Sequence, residues 1–341
     1  MKIGILGWYF QNNAGDDRIL ECLKKKCETL GATEVSVFIA WDELNSKIEE
    51  INTCDFLLVG GGGLILRNTN RLVSLFEKIM IPWAFIGVSI DSVGEDNSKF
   101  ITYISNNAKF IIVRDQFSLD IFRNYRQEAL FIAPDLTFLY PFKNDASHDS
   151  KNAVAVSLRP WRPNLFKQYT KNYHRFNKLV HKLPIVTTFL RLWDIKKFTK
   201  VVNALTTSHI KPFPLHINDV NGDNLLMQTY FDAEKNIAFN IDDLKQSDYL
   251  IGMRLHSLIF ATQLGVPFVA ISYASKIDNY LEDIGLSNFV VNVNNYKALS
   301  KKIKQLKAQK ETISKQLLQT SHNNEVEVNK VVNEAFKTFV L

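Results

Sequence analysis

Cysteine is scarce in this chain: Cys22, Cys27 and Cys54 are the only three among 341 residues. An odd number confined to the first sixth of the sequence offers neither a disulfide framework nor zinc-ligand spacing, and it points to a reducing compartment. Long apolar runs are also missing. The longest, Ile79–Ile90, contains Pro82 and falls well short of the roughly 20 residues a bilayer span requires. The opening MKIGILGWYF lacks the layout of a secretory leader, because its short apolar run soon meets Gly15, Asp16 and Asp17. A soluble, cytoplasmic protein is therefore expected. Neither a G-x-G-x-x-G fingerprint nor a G-x-x-x-x-G-K-[ST] phosphate loop occurs, which argues against a nicotinamide-dependent oxidoreductase and a P-loop enzyme. Paired glycosidase carboxylates, a triad motif and a metal-ligand cluster are absent too.

What is present suits a globular protein with a sizeable core. The chain is 46% hydrophobic and 22% charged, and its length predicts two α/β domains of roughly 150 residues each. The net charge of +6 is unevenly spread: Arg159 to Lys200 carries eleven Lys or Arg against the single acid Asp194. Trp161, Phe166, Tyr169, Tyr173, Phe176, Phe189, Trp193 and Phe198 lie among those cations. Such a segment reads either as a solvated basic helix pair or as a peripheral contact with an anionic membrane surface. Nucleic acid is not the expected partner.

Short buried strands alternate with helical stretches. Strands are predicted at 2–7, 34–40, 55–59, 83–88 and 110–113, with helices over 18–30 and 71–80. The polar run Lys143–Lys151 marks a boundary, giving domains at 1–148 and 149–341. Beyond it, strands are predicted at 153–158, 248–251 and 268–272, and helices at 241–246, 255–264, 277–284 and 297–319. The last helix is expected to pack back on the first domain. Alternating βα units imply mostly parallel sheets, with ligands at the carboxyl ends of their strands in a crevice between two such domains.

Five constellations sit at predicted strand ends. Gly60–Gly63 follows the strand DFLLV and serves either a tight turn or close backbone approach to a ligand. Asp16, in the loop after the first strand, is either a helix cap or an acceptor for a sugar hydroxyl. Arg254 and His256 stand where a helix begins. Cations are unfavourable at that end of a helix unless an anion completes the group. Arg159 follows a strand that Pro160 terminates, and should point into the crevice. Lys276 closes the segment ISYASK, which also holds Ser272, and can meet a carboxylate as a point charge.

These segments together resemble the polysaccharide pyruvyl transferase family. The matching pieces are GWYFQNNAGDDRIL, DFLLVGGGGLI, IIVRDQFS with Arg114 and Asp115, APDLTF with Asp135, VAVSLRP, and SDYLIGMRLHSLIFATQLGVPFVAISYASK. They run in order from residue 3 to about 286. Where family members often carry a Gly-Gln-Gly-Ile-Gly-Pro-like run, this chain has GVSIDSVGE at 87–95.

The resemblance implies two Rossmann-like domains facing across a cleft, as in B-type glycosyltransferases. It also implies transfer of a pyruvyl group from phosphoenolpyruvate to two hydroxyls of a sugar, free or lipid-linked, forming a cyclic ketal without a cofactor or metal. Carried over by position, Arg159, Arg254, His256, Lys276 and Ser272 would hold the donor on the second domain. Asn13, Asp16, Gly61, Gly62 and Gly63 would face the acceptor on the first. His256 is the candidate acid, since an imidazole can carry a proton near neutral pH; Asp16 is the first base to test. A nucleotide-sugar glycosyltransferase and a non-catalytic glycan- or anion-binding protein are the alternatives. The acceptor sugar, the ketal stereochemistry and the oligomeric state are not encoded in any motif.

Overall fold

The computed structural model describes all residues except 42, 66–67, 91, 144–151, 161–196, 206–207, 219–221, 232–236, 294–295 and 341. Most of the basic segment 159–200 thus lies outside the described residues. The chain forms two compact units: Met1–Phe142 with Gln319–Leu341, and Lys143–Leu318.

The first unit is built on six strands: β1 (Lys2–Gly7), β2 (Glu34–Ile39), β3 (Phe56–Ile65), β4 (Trp83–Ile90), β5 (Ile111–Val113) and β6 (Leu130–Ile132). Their order is β2-β1-β3-β4-β5-β6, and every neighbouring pair is parallel. Helices α1 (Ala14–Thr29), α2 (Leu44–Ile51), α3 (Val73–Phe76), α4 (Ser98–Asn107) and α5 (Gln116–Arg123) connect them. β4 is buried at every position, which explains its continuous apolar sequence. Part of the core is aromatic. Phe76 meets Trp83 edge-on with ring centroids 5.1 Å apart, and meets Phe100 at 5.3 Å, a favoured geometry.

Two sequence-based expectations change here. The strand at 55–59 does not stop at the glycines; β3 runs through them to Ile65, with a register shift between Gly62 and Ile65. A Cβ on Gly60 would lie 2.6 Å from Ile86 Cγ2, so glycine is what lets β3 and β4 pair this closely. The helix expected over 71–80 shrinks to a 3₁₀ turn, Asn70–Leu72, followed by the single α-turn α3.

The second unit contains β7 (Ala153–Ser157), β8 (His209–Pro212), β9 (Tyr249–Gly252), β10 (Phe268–Ser272) and β11 (Val290–Asn292). The order is β11-β10-β9-β7-β8, again parallel throughout. Helices α6 (Asp223–Phe231), α7 (Ile241–Lys245), α8 (Leu255–Leu264), α9 (Ser275–Asp283), α10 (Leu299–Ala308) and α11 (Lys310–Phe339) complete it. From Gln319 onward, α11 belongs to the first unit. α8 ends at Gly265, whose φ of +65° suits glycine, and Pro267 lies just beyond.

Chain direction across each sheet reverses once. In the first unit the reversal falls between β1 and β3, and in the second between β7 and β9. Open parallel sheets bind ligands outside the carboxyl ends of the strands at such a point. No described helix is long and apolar enough to cross a membrane.

Candidate functional site

In the second unit the ends of β7 and β9 lie side by side, joined by the Met253 amide donating to the Ser157 carbonyl at 2.7 Å. Arg159 follows β7. Arg254 follows β9 and is the N-cap residue of α8, with extended backbone (φ −85°, ψ 129°) and no side-chain cap bond. Ser257 Oγ donates to the Arg254 carbonyl at 2.6 Å, which holds this turn.

The Arg254 side chain meets a carboxylate that sequence reasoning missed. Its Nη2 donates to Asp223 Oδ1 at 2.6 Å and its Nε to Oδ2 at 3.0 Å. Asp223 is completely buried and Arg254 is 17% exposed. Asp223 Oδ2 also accepts the Leu215 and His216 amides, at 3.2 and 3.1 Å. A carboxylate withdrawn from water requires such compensation. The Arg254 guanidinium is therefore oriented by a resident partner, and Nη1 is the donor group not committed to it. The signal for Asp223 was faint: an acid at the start of an apolar helical stretch, in a Pro- and Asn-rich string.

Arg159 Nη1 donates to the Tyr273 hydroxyl at 2.9 Å, and its guanidinium carbon stands 4.8 Å from the Tyr273 ring centroid. Arg159 Nε and Ser157 Oγ are both buried and have no hydrogen-bond partner among the described residues. Burial pushes the Tyr273 phenol upward, but the charges of Arg159, Lys276 and Arg254 outweigh it and bring the phenol below its ordinary value. The His216 imidazole is also lowered, first by burial and then by Arg254, with Arg159 adding to the effect against Asp223. Three of the sequence-predicted cations thus act on one phenol, and two of them on a histidine that no motif marked.

The other expected donor residues are placed as follows. Lys276 is exposed on α9. Ser272, at the end of β10, donates to Asp278 Oδ2 at 2.8 Å. His256 lies in the first turn of α8, its ring 6.0 Å from that of Phe260, and its Nε2 is buried.

In the first unit, Asn13 caps α1 by accepting from the Gly15 amide at 3.3 Å, and its Nδ2 donates to Asp16 Oδ2 at 2.5 Å. Gly61 and Gly62 both have φ of +83°. A Cβ on Gly61 would lie 2.6 Å from Ile19 Cγ2, and one on Gly62 2.9 Å from Asp16 Oδ1. Gly62 thereby allows Asp16 to stand against the β3 backbone. Gly63 is half-buried. Beneath them Tyr9 donates to the Gly60 carbonyl at 2.6 Å; burial, with Asp16 adding to it, raises that phenol well above its usual range. Asn13, Asp16 and Gly62 therefore gather at the β1/β3 reversal, with Trp8 and Phe10 exposed beside them. Among the described residues no group of three His, Cys, Asp or Glu is arranged to hold a metal ion.

A family model described as polysaccharide pyruvyl transferase matches residues 13–275. No curated protein sequence matches the chain. Among solved structures, the chain is similar to a putative UDP-N-acetylglucosamine 2-epimerase from Listeria monocytogenes, at a TM-score of 0.59 and 10% identity over 99% of this chain and 96% of that one. It is also similar to UDP-GlcNAc 2-epimerase from Neisseria meningitidis bound to UDP-GlcNAc, at 0.54 and 10% over 99% and 100%. An alpha-glucosyltransferase in complex with UDP-glucose and abasic DNA gives 0.51 and 11% over the whole of both chains. At these identities the likeness is one of fold: two parallel-sheet, Rossmann-like units of the glycosyltransferase-B kind.

Proposed function

This chain belongs to the polysaccharide pyruvyl transferase family, and on that premise we propose that it moves a pyruvyl group from phosphoenolpyruvate to two hydroxyls of one sugar. The acceptor is part of a polysaccharide or a lipid-linked glycan, the product is a cyclic ketal, and phosphate leaves. The observation that carries this reading is Arg159 hydrogen-bonded to Tyr273 at the end of the second sheet, with the charges of Lys276 and Arg254 acting on the same phenol. Phosphoenolpyruvate presents a phosphate and a carboxylate. Arg159, the free Nη1 edge of Arg254, and Lys276 supply positive charge for both, and preorganised charge of this kind stabilises a transition state.

His256 is assigned as the acid that protonates the donor's methylene carbon. Ser272 is assigned to the donor carboxylate. On the first unit, Asn13, Asp16 and the Gly61–Gly63 backbone are assigned to the acceptor's hydroxyls, with Trp8 and Phe10 offering flat faces to its ring. The transfer calls on charge and proton movement alone, so no cofactor or metal is assigned. Cytoplasmic work on a lipid-linked acceptor would suit a peripheral membrane contact through 159–200, and flotation of the protein with anionic vesicles tests that contact.

The decisive experiment measures phosphate release from phosphoenolpyruvate with a panel of free and lipid-linked glycans. Release that depends on a glycan, and that falls at least 100-fold in His256→Gln, supports the reading. Turnover of a nucleotide sugar in place of phosphoenolpyruvate, or donor binding without turnover, replaces it.

A further inference from the structure

Resting on the pyruvyl-transfer reading, we propose that His216 takes the proton from the attacking sugar hydroxyl. His216 lies beyond the end of β8, the neighbour of β7, in a stretch held on both sides of its own peptide unit. Its amide donates to Asp223 Oδ2 at 3.1 Å, and its carbonyl accepts from the Asp223 amide at 2.8 Å. The same Oδ2 receives Arg254 Nε at 3.0 Å. One oxygen therefore fixes the His216 backbone relative to the Arg254 guanidinium.

Described residues flanking 219–221 add to that arrangement. Asn224 Oδ1 accepts from the Asn218 amide at 3.1 Å, and the Gly222 amide donates to the Asn218 carbonyl at 3.1 Å. A Cβ on Gly222 would lie 2.1 Å from Asn224 Oδ1 and 2.3 Å from the Asn218 nitrogen. These contacts hold the backbone at His216 and Asn218 in register with Asp223 and Asn224, and a fixed backbone is a precondition for placing a proton-transfer group.

The charged groups acting on the imidazole are Arg254 and Arg159 on one side of the balance and Asp223 on the other. Burial and the two arginines outweigh the carboxylate and favour the neutral ring, the form that can accept a proton. It is only half-buried, which leaves it reachable.

The proton ledger closes without an oxidant or reductant. His256 protonates C3 of phosphoenolpyruvate, and C2 becomes electrophilic. The first hydroxyl oxygen bonds to C2 while its proton passes to His216. The C2–O bond to phosphate then breaks, and the departing oxygen takes a proton. The second hydroxyl closes the ketal and releases its own. Two hydroxyl protons are lost, matched by one gained at C3 and one on phosphate.

The test compares wild type with His216→Gln and His216→Asn, using phosphoenolpyruvate and a glycan that wild type accepts. Phosphoenolpyruvate binding is measured by calorimetry, and kcat is followed from pH 5 to 8.5. Expected is binding within threefold of wild type and a kcat loss of at least 100-fold. The acid-side fall of the wild-type kcat profile, caused by protonation of His216, should be missing from the residual activity. A kcat within threefold of wild type in either variant overturns the inference. So does an unchanged acid limb, or a defect confined to donor binding that saturating phosphoenolpyruvate rescues. Should a variant not bind phosphoenolpyruvate at all, His216 is a binding or structural residue and the inference is likewise overturned. If wild type itself releases no phosphate from phosphoenolpyruvate with any glycan, the underlying reading fails instead.

Discussion

Truncating Asp223 to alanine removes the carboxylate on which the second unit's site is assembled. Five hydrogen-bond contacts converge on it: three from Arg254 between 2.6 and 3.2 Å, and the amides of Leu215 and His216. The carboxylate is fully buried and its partner 17% exposed, so the cation left behind is neither paired nor well hydrated. Removing one member of a buried pair costs about 3–5 kcal/mol. The lower end is expected here, because water entering the vacated space can serve the arginine. Asp223→Asn keeps the shape and an oxygen for the two amides but loses the charge-assisted contacts, a loss of about 1.5–3 kcal/mol. Urea unfolding followed by far-UV circular dichroism reads both. With a slope of about 1–3 kcal/mol/M, a loss of about 3 kcal/mol moves the midpoint by about 1 M or more. Lys310→Ala is the control, since its pair with Asp248 is 44% and 23% exposed and should be worth less than about 1 kcal/mol. A midpoint shift in Asp223→Ala no larger than that of the control would refute the argument that this carboxylate organises the site.

Three further outcomes follow from the geometry. Gly61→Ala meets both a φ of +83° and Ile19 Cγ2 at 2.6 Å, whereas Gly31, at φ +96°, has nothing within 4 Å of its Cβ position. Calorimetric melting should therefore show Gly61→Ala losing about 2 kcal/mol or more and Gly31→Ala about 1 kcal/mol, and equal losses would dismiss the packing contact. Burial raises the thiols of Cys22 and Cys27 to about 12. In the unfolded chain they ionise near 9, so the stability they contribute is complete below pH 9 and is lost as pH rises toward about 12. A chromogenic disulfide reagent at pH 8 should find none of the three buried cysteines until denaturant is added. Finally, Tyr273 should ionise below an ordinary tyrosine because the positive field of Arg159, Lys276 and Arg254 outweighs its burial. Ultraviolet difference titration of wild type against Tyr273→Phe isolates that phenol, and Arg159→Gln should move its midpoint upward.

The sheets were largely legible in the sequence because buried parallel strands are written as unbroken apolar runs. Residues 268–272 and the helix over 255–264 were placed as found, since Gly265 and Pro267 punctuate them. The strands that escaped notice, β6, β8 and β11, have three or four residues and are only partly buried, so they carry no such signature. Arg159, Arg254 and Lys276 could be singled out because each follows a recognisable strand. Asp223 could not, because it stands 31 positions before Arg254 and their pairing exists only once β8 and β9 flank β7. His216 lacked a motif for the same reason, as its neighbours are assigned by the sheet and not by the chain. At Gly60–Gly62 the residue type was noticed, but its internal cause, contact with Ile86, Ile19 and Asp16, depends on how strands and helix meet.

Helix α11 has a bearing on how the protein is made. Residues 143–318 separate the body of the first unit from the piece, beginning at Gln319, that completes it. Val328, Val332 and Phe336 are fully buried, the Phe339 ring lies 5.8 Å from that of Phe110, and Asn329 accepts from Lys26 Nζ at 2.7 Å. At synthesis rates of about 5–20 residues per second, the first six strands wait on the order of 10–35 s for this cover. During that interval an apolar surface of the nascent chain stays open to chaperones, and translation speed through the middle of the message becomes a determinant of yield.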